Sequence, residues 1–165
     1  MTRSDKITLW HIVFFCAAAF TFESYWLLHV HNMPQQEGLF AQAFKFYGHG
    51  DRGYYDQISG FEFALEFLNV VFTIPAYMVL FYGIINRRPW RWPLQLCLGA
   101  YVLYSVILYF MAKHATDYAQ MPEPSLASFL IFYLPNIPWV TGNGFLAIEA
   151  SRAIWSAVRL REQGA

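Results

Sequence analysis

The chain has 165 residues, of which 57% are hydrophobic and only 13% charged. A soluble domain carries about 25% charged residues, so the composition excludes an ordinary soluble globule and points to a membrane protein. The formal net charge of +0 removes the electrostatic basis for binding nucleic acid.

Each membrane crossing needs about 20 apolar residues, and the length accommodates about four of them in one domain, residues 1–165. The first predicted span runs from about Ile7 to Leu28. It continues into His29 with no small-residue cleavage pattern, so it reads as a retained span and not as a removed signal. The polar stretch His29–Gly60 follows, with a short membrane-surface helix predicted over Phe40–Tyr47 and Arg52 and Asp56 placed to order its end. The second span covers about Phe61 to Ile85, bent at Pro75. The third covers about Trp92 to Ala112. The fourth covers about Leu126 to Ile154, and Pro135, Pro138, Gly142 and Gly144 predict a broken or kinked helix facing a pocket. The expected fold is therefore an all-α membrane protein, a bundle of four transmembrane helices around an intramembrane ligand cavity.

Arginines assign a direction. Arg3 and Lys6, then Arg87, Arg88 and Arg91, then Arg152, Arg159 and Arg161 all fall on one side of a four-span chain. The positive-inside rule puts that side, with both termini, in the cytoplasm. The tail from Arg161 to Ala165 contains no recognisable retrieval signal. Trp10, Trp90, Trp92 and Trp155 lie near span ends and fit an interfacial belt.

The candidate chemistry rests on acids at bilayer depth. A carboxylate there costs about 2.5–3.5 kcal/mol unless it faces a protein interior with partners. Glu23 sits deep in the first span and Glu66 in the second, with Glu62 one turn before Glu66 and Asn69 about one turn after it. Carboxyl groups held close in a dry site keep a proton available for acid/base work. For Glu62 the plainer reading is a first-turn acid favoured by the helix dipole; for Glu23 and Glu66 it is hydrogen bonding between helices. In the fourth span Asn136 and Trp139 share a face that Asn143 extends, and an indole is the best aromatic partner for a cation. Tyr104 in the third span completes the candidate substrate-binding set. Cys16 and Cys97 read as small buried hydrophobes, and no His or Cys spacing forms a metal site. Gly48-His49-Gly50-Asp51-Arg52-Gly53 spells G-x-G-x-x-G, but no strand precedes it, so it reads as a loop turn. No cofactor is expected. Acids from two helices and an Asn/Trp pair from a kinked third suit an apolar ligand that is, or becomes, a cation. A protonated amine and a carbocation both qualify.

The chain resembles the emopamil-binding proteins, the sterol Δ8–Δ7 isomerases of the endoplasmic reticulum with the EXPERA four-span domain, and more distantly the sigma-2 receptor. The resemblance is carried by Phe46-Tyr47-Gly48-His49-Gly50-Asp51-Arg52-Gly53-Tyr54, Pro93-Leu94-Gln95-Leu96, Leu108-Tyr109-Phe110-Met111-Ala112-Lys113-His114 and Asn136-Ile137-Pro138-Trp139, with Gly144 and Glu149 following. It implies that Glu23 and Glu66 protonate a ring alkene and remove a neighbouring proton while Trp139 and Asn136 face the cationic intermediate. The chain departs from the isomerases at Ala19, where they carry a histidine, and at Asn69, where they carry a threonine. Glu62 is an added acid placed to take over proton delivery.

Three functions follow from the resemblance. The first is an isomerase moving a double bond in a sterol or related terpenoid. The second is a natural-product isomerase or cyclase acting on a nonsterol substrate. The third is a non-catalytic receptor for sterols or amines. The implied partners are a hydrophobic small-molecule substrate, membrane lipid and, as inhibitors, cationic amphiphilic amines. The resemblance also admits a homodimer, and it alone supplies the endoplasmic reticulum address.

Overall fold

The computed structural model describes residues 1–163; Gly164 and Ala165, which close the tail read for a retrieval signal, lie outside them. Helix α1 spans Arg3–His29, α2 spans Leu39–Tyr47, α3 spans Gly60–Ile85 and α4 spans Arg91–Ala115. Helix α5 spans Leu126–Tyr133 and α6 spans Ile137–Gln163. No strand occurs among the described residues. Local signals start these helices. Thr2 and Asp5 form a reciprocal capping box on α1, Ser59 caps α3 and Ser125 caps α5.

Helices α1, α3 and α4 are long and apolar enough to cross a membrane, and the chain is a multi-pass membrane protein. The fourth predicted span is not one helix. A 3-10 turn at Leu134–Asn136 separates α5 from α6, because Pro135 and Pro138 cannot donate to the carbonyls behind them. The polar half of α6, with Glu149, Arg152, Arg159 and Arg161, then lowers its mean hydropathy.

The bundle is inverted relative to a soluble protein, with large apolar side chains such as Trp10, Phe20 and Val71 exposed and polar ones buried. Lipid supplies no hydrophobic drive for helix association, so close packing and interhelical hydrogen bonds hold such bundles together. Both devices join α4 to α6. Gln95 Nε2 donates to the Leu146 carbonyl across the interface at 3.1 Å. Gly99 permits the close approach: a Cβ there would lie 2.8 Å from Ala147 N and from the Asn143 carbonyl oxygen.

At one end Asp5 pairs with Arg91 Nη1 at 2.6 Å, and Ser4 Oγ donates to Glu149 Oε2 at 2.6 Å. The chain start, the loop between α3 and α4, and the middle of α6 therefore share that end of the bundle. Two buried clusters fill the interior. One contains Ile12, Phe15, Tyr77, Leu98 and Leu146, and the other contains Trp26, Met33, Tyr54, Tyr109 and Phe132.

Both membrane helices that carry candidate acids contain a π-turn. In α1 it is Ala19–Glu23, closed by the Ser24 N–H donating to the Ala19 carbonyl. In α3 it is Asn69–Thr73, closed by the Ile74 N–H donating to the Asn69 carbonyl. The two turns pack against each other. Pro75, predicted as a bend, lies two residues past the second; its missing N–H leaves the Val71 carbonyl without the usual donor, and the wider turn accommodates the gap.

Substituting Gly99 by Val should lower stability by about 1–3 kcal/mol, the usual cost of overpacking, because the obstructing atoms are backbone. Thermal unfolding in detergent measures this, and an unchanged midpoint would show that α4 and α6 separate freely.

Candidate functional site

A cavity of about 630 Å³ opens among α1, α2, the α5–α6 break and α3. Ligand sites for drug-sized molecules fall at about 300–1,000 Å³. Its walls are mostly apolar, from Phe14, Phe22, Phe44, Leu134 and Pro138, and its polar groups converge where Glu23, Glu66, Tyr54 and Asn136 meet. Behind them lies a polar recess of about 40 Å³ bounded by Glu23, Glu66, Asn69, Ser105, Asn136 and Trp139.

Five of the predicted residues are thus brought together: Glu23, Glu66, Asn69, Asn136 and Trp139. The π-turns are why. Glu23 ends one and Asn69 starts the other, which turns both side chains toward Glu66 between the helices. The Glu23 and Glu66 carboxyl groups face each other with the Asn69 amide beside both. Oε2 of Glu23 and Oε2 of Glu66 are buried with no hydrogen-bond partner among the described residues. Trp139 packs its ring on Phe14 and Phe15, with centroids 5.4 and 4.9 Å apart.

Three predicted residues are placed elsewhere. Glu62 does not line the cavity. Its carboxylate is buried against Lys113 Nζ, in the first turn of α3, so the extra acid serves an ion pair. Asn143 is fully buried one turn beyond Trp139. It accepts from the Tyr77 hydroxyl and donates from Nδ2 to the Trp139 carbonyl at 2.8 Å, supporting the turn that carries the indole. Tyr104 is 63% exposed on the outside of α4, away from the cavity, because its position on the helix faces lipid.

The polar stretch after α1 contributes residues that the span pattern did not single out as site residues. Tyr54 donates to Glu66 Oε1 at 2.5 Å, and its own carbonyl accepts from Trp26 Nε1 at 2.9 Å. Burial raises the Tyr54 hydroxyl well above its ordinary value, so it remains a protonated donor. The G-x-G-x-x-G segment is a loop turn, as its lack of a preceding strand predicts. Its glycines allow close contacts: a Cβ on Gly50 would strike the α5 backbone at Phe132, and one on Gly53 would strike Asp51, Glu62 and Lys113. Arg52 and Asp56 do order the end of the stretch, through two contacts at 2.7 and 2.5 Å. Lys113 Nζ donates to Asp51 Oδ1 at 2.8 Å and also pairs with Glu62 and Gln120. The signal for these residues lies in the loop motif around Asp51 and in a lysine ending an apolar helix, both weaker than an acid in mid-span. No group of His, Cys, Asp and Glu with metal-ligating geometry occurs among the described residues.

Removing Lys113 as Lys113→Met should cost about 3–5 kcal/mol, because Asp51 and Glu62 would stay buried without their cation. The expected result is loss of a monodisperse folded species on gel filtration in mild detergent. A variant as stable as the parent would show the ion cluster to be dispensable.

Residues 39–150 match the EBP family model, described as EXPERA, the expanded EBP superfamily, and the chain belongs to this family. The matched segment contains Glu62, Glu66, Asn69, Tyr104, Asn136, Trp139 and Asn143, while Glu23 lies before it. A search of curated proteins returns no match.

Proposed function

We propose that this member of the expanded emopamil-binding-protein superfamily is a double-bond isomerase acting on a sterol or related polycyclic terpenoid. One observation carries the reading: Glu23 and Glu66 face each other at the polar end of a mostly apolar cavity that the Trp139 indole also borders. The chain is one membrane domain over its 165 residues, with α5 and α6 together making the fourth crossing and both termini in the cytoplasm. Its compartment is the endoplasmic reticulum.

The chemistry balances on the two carboxyls. With one proton held between them, the protonated member delivers it to an alkene carbon, and the double-bond electrons form the new C–H bond. The neighbouring carbon becomes cationic. The Trp139 π face and the uncharged Asn136 amide stabilise that charge in a site with little water. The other carboxylate then removes a proton from the carbon on the far side of the cation, and those electrons close the shifted double bond. Proton transfer between the facing carboxyls resets the pair. Tyr54 holds Glu66 in place throughout. Glu62 is left to its ion pair.

Ala19 favours a second reading. Fully buried where the isomerases carry histidine, it brings no proton-handling group to the cavity. A substrate with a different double-bond position, or a ligand bound without turnover, then occupies the same site.

Two measurements test the proposal. Purified protein given a Δ8 sterol should yield the Δ7 isomer by mass spectrometry and NMR, and Glu66→Gln should abolish conversion while retaining the fold. Turnover that survives the substitution would contradict the assignment of Glu66. A lipophilic amine should mimic the cation, and Trp139→Ala should weaken it by about 1–2 kcal/mol, the size of a desolvated cation–π contact. Unchanged affinity would reduce Trp139 to packing.

A further inference from the structure

Asn136 carries two amide hydrogens and one carbonyl oxygen, and the protein uses only one end of it. Nδ2 donates to the Phe132 carbonyl at 2.8 Å and to the Tyr47 hydroxyl oxygen at 3.1 Å. Oδ1 accepts nothing from the described residues, and the side chain borders both the cavity and its polar recess. Which end faces inward decides what the cavity recognises, since the two ends have opposite polarity.

The neighbouring hydroxyls settle that choice by counting protons. The Tyr109 hydroxyl donates to Asp51 Oδ2. Asp51 is buried, and its other oxygen already accepts from the Gly53 N–H at 2.8 Å and from Lys113 at 2.8 Å. A carboxylate paired with an ammonium is an acceptor only, so the single Tyr109 proton is committed to it. The Tyr47 and Tyr109 oxygens are 3.2 Å apart, and the proton between them must then come from Tyr47. Having given its proton away, Tyr47 presents a lone pair to Asn136. Turning the amide over would set Oδ1 against the Phe132 carbonyl. It would also either set Oδ1 against the Tyr47 lone pair or take the Tyr47 proton and leave two bare phenol oxygens in contact. Each is a buried acceptor–acceptor contact, and burial makes such mismatches costly.

We propose that Asp51, acting through the Tyr109 and Tyr47 hydroxyls, fixes the Asn136 amide with its carbonyl oxygen toward the cavity and so makes the cavity selective for positive charge. Asp51, Tyr109 and Tyr47 are positioning residues, and Asn136 Oδ1 is the group that meets the ligand, beside the Trp139 indole. The idea rests on the reading of the cavity as a cation site and adds the device that sets its polarity. The charged end of the chain is anchored by Lys113 at the end of α4, so the same ion cluster that holds the loop also orients an amide in the α5–α6 break.

The test compares two probes on the full-length protein in detergent: an aryl-alkyl trimethylammonium ion and its neutral tert-butyl isostere. Neither has an N–H, so the ratio of their affinities reports the field in the cavity and not a hydrogen bond to a carboxyl group. The parent should prefer the cation. Tyr109→Phe frees the Tyr47 proton to compete for Asn136, and it should lower the preference about three- to tenfold, the effect of one hydrogen bond, with the neutral isostere unaffected. An equal loss for both probes would mean that Tyr109 acts only in packing, and an unchanged ratio would mean that the chain does not set the amide; either overturns the proposal. A parent with no preference for the cation would overturn the cation-site reading itself, and this inference with it. The parent alone supplies a further check should Tyr109→Phe not fold. Both side-chain amide protons of ¹⁵N-labelled Asn136 should exchange slowly with water, being bonded to Phe132 and Tyr47, and rapid exchange of either contradicts the assigned orientation.

Discussion

Three charges leave water together where α4 ends, and the rest of the site is arranged around them. Lys113 from α4 meets Asp51 from the loop and Glu62 from α3, each at most 5% exposed. Burying any one of them alone would cost several kcal/mol, so the three elements are held in one relation or the bundle does not close. Gly53 is the residue that lets the loop come close enough. Once Asp51 is fixed, Tyr54 follows three residues later and reaches Glu66, while its carbonyl receives the Trp26 indole N–H. A buried ion cluster at the end of α4 therefore decides how the Glu66 carboxyl group is presented.

The second constraint comes from the helices themselves. A regular α-helix offers lipid no free polar groups, which is why it can span a membrane. The two π-turns depart from that regularity in the interior, where α1 and α3 touch each other, and the departure brings Glu23 and Asn69 toward Glu66. The 3-10 turn at Leu134–Asn136, between α5 and α6, brings Asn136 to the same place. Three local irregularities converge on one polar recess. The cavity in front of it is mostly apolar, walled by residues such as Phe22, Phe44 and Leu134.

Much of this was legible in the residues. Mid-span glutamates are costly enough that Glu23 and Glu66 point to an interior, and two prolines in six residues break the helix predicted as a fourth span. Arginine placement correctly grouped the chain start, the α3–α4 loop and α6 at one end, where Asp5 meets Arg91 and Ser4 meets Glu149. The helix over Leu39–Tyr47 followed from its aromatic spacing. Glu62 was misleading because periodicity says which residues share a helix face, and not which partner arrives from elsewhere; Lys113 is 51 residues away. Tyr104 was misleading because a uniformly apolar helix hides which of its faces is buried. The π-turns left no sequence signal apart from Pro75. The tyrosine chain from Asp51 to Asn136 depends on contacts 62 and 89 residues apart in sequence, which no local pattern contains.

Whether the recess between Glu23, Glu66 and Trp139 receives a positive charge decides the reading of the site. The most direct measurement is a structure, by cryo-electron microscopy or crystallography, of the protein with a bound lipophilic amine. The ammonium nitrogen should lie within hydrogen-bonding distance of a Glu23 or Glu66 oxygen and within about 6 Å of the Trp139 ring centroid, with the apolar body in the cavity walled by Phe22, Phe44 and Leu134. An amine on the lipid-facing surface, or in the cavity with its charge pointing away from the two glutamates, would contradict it.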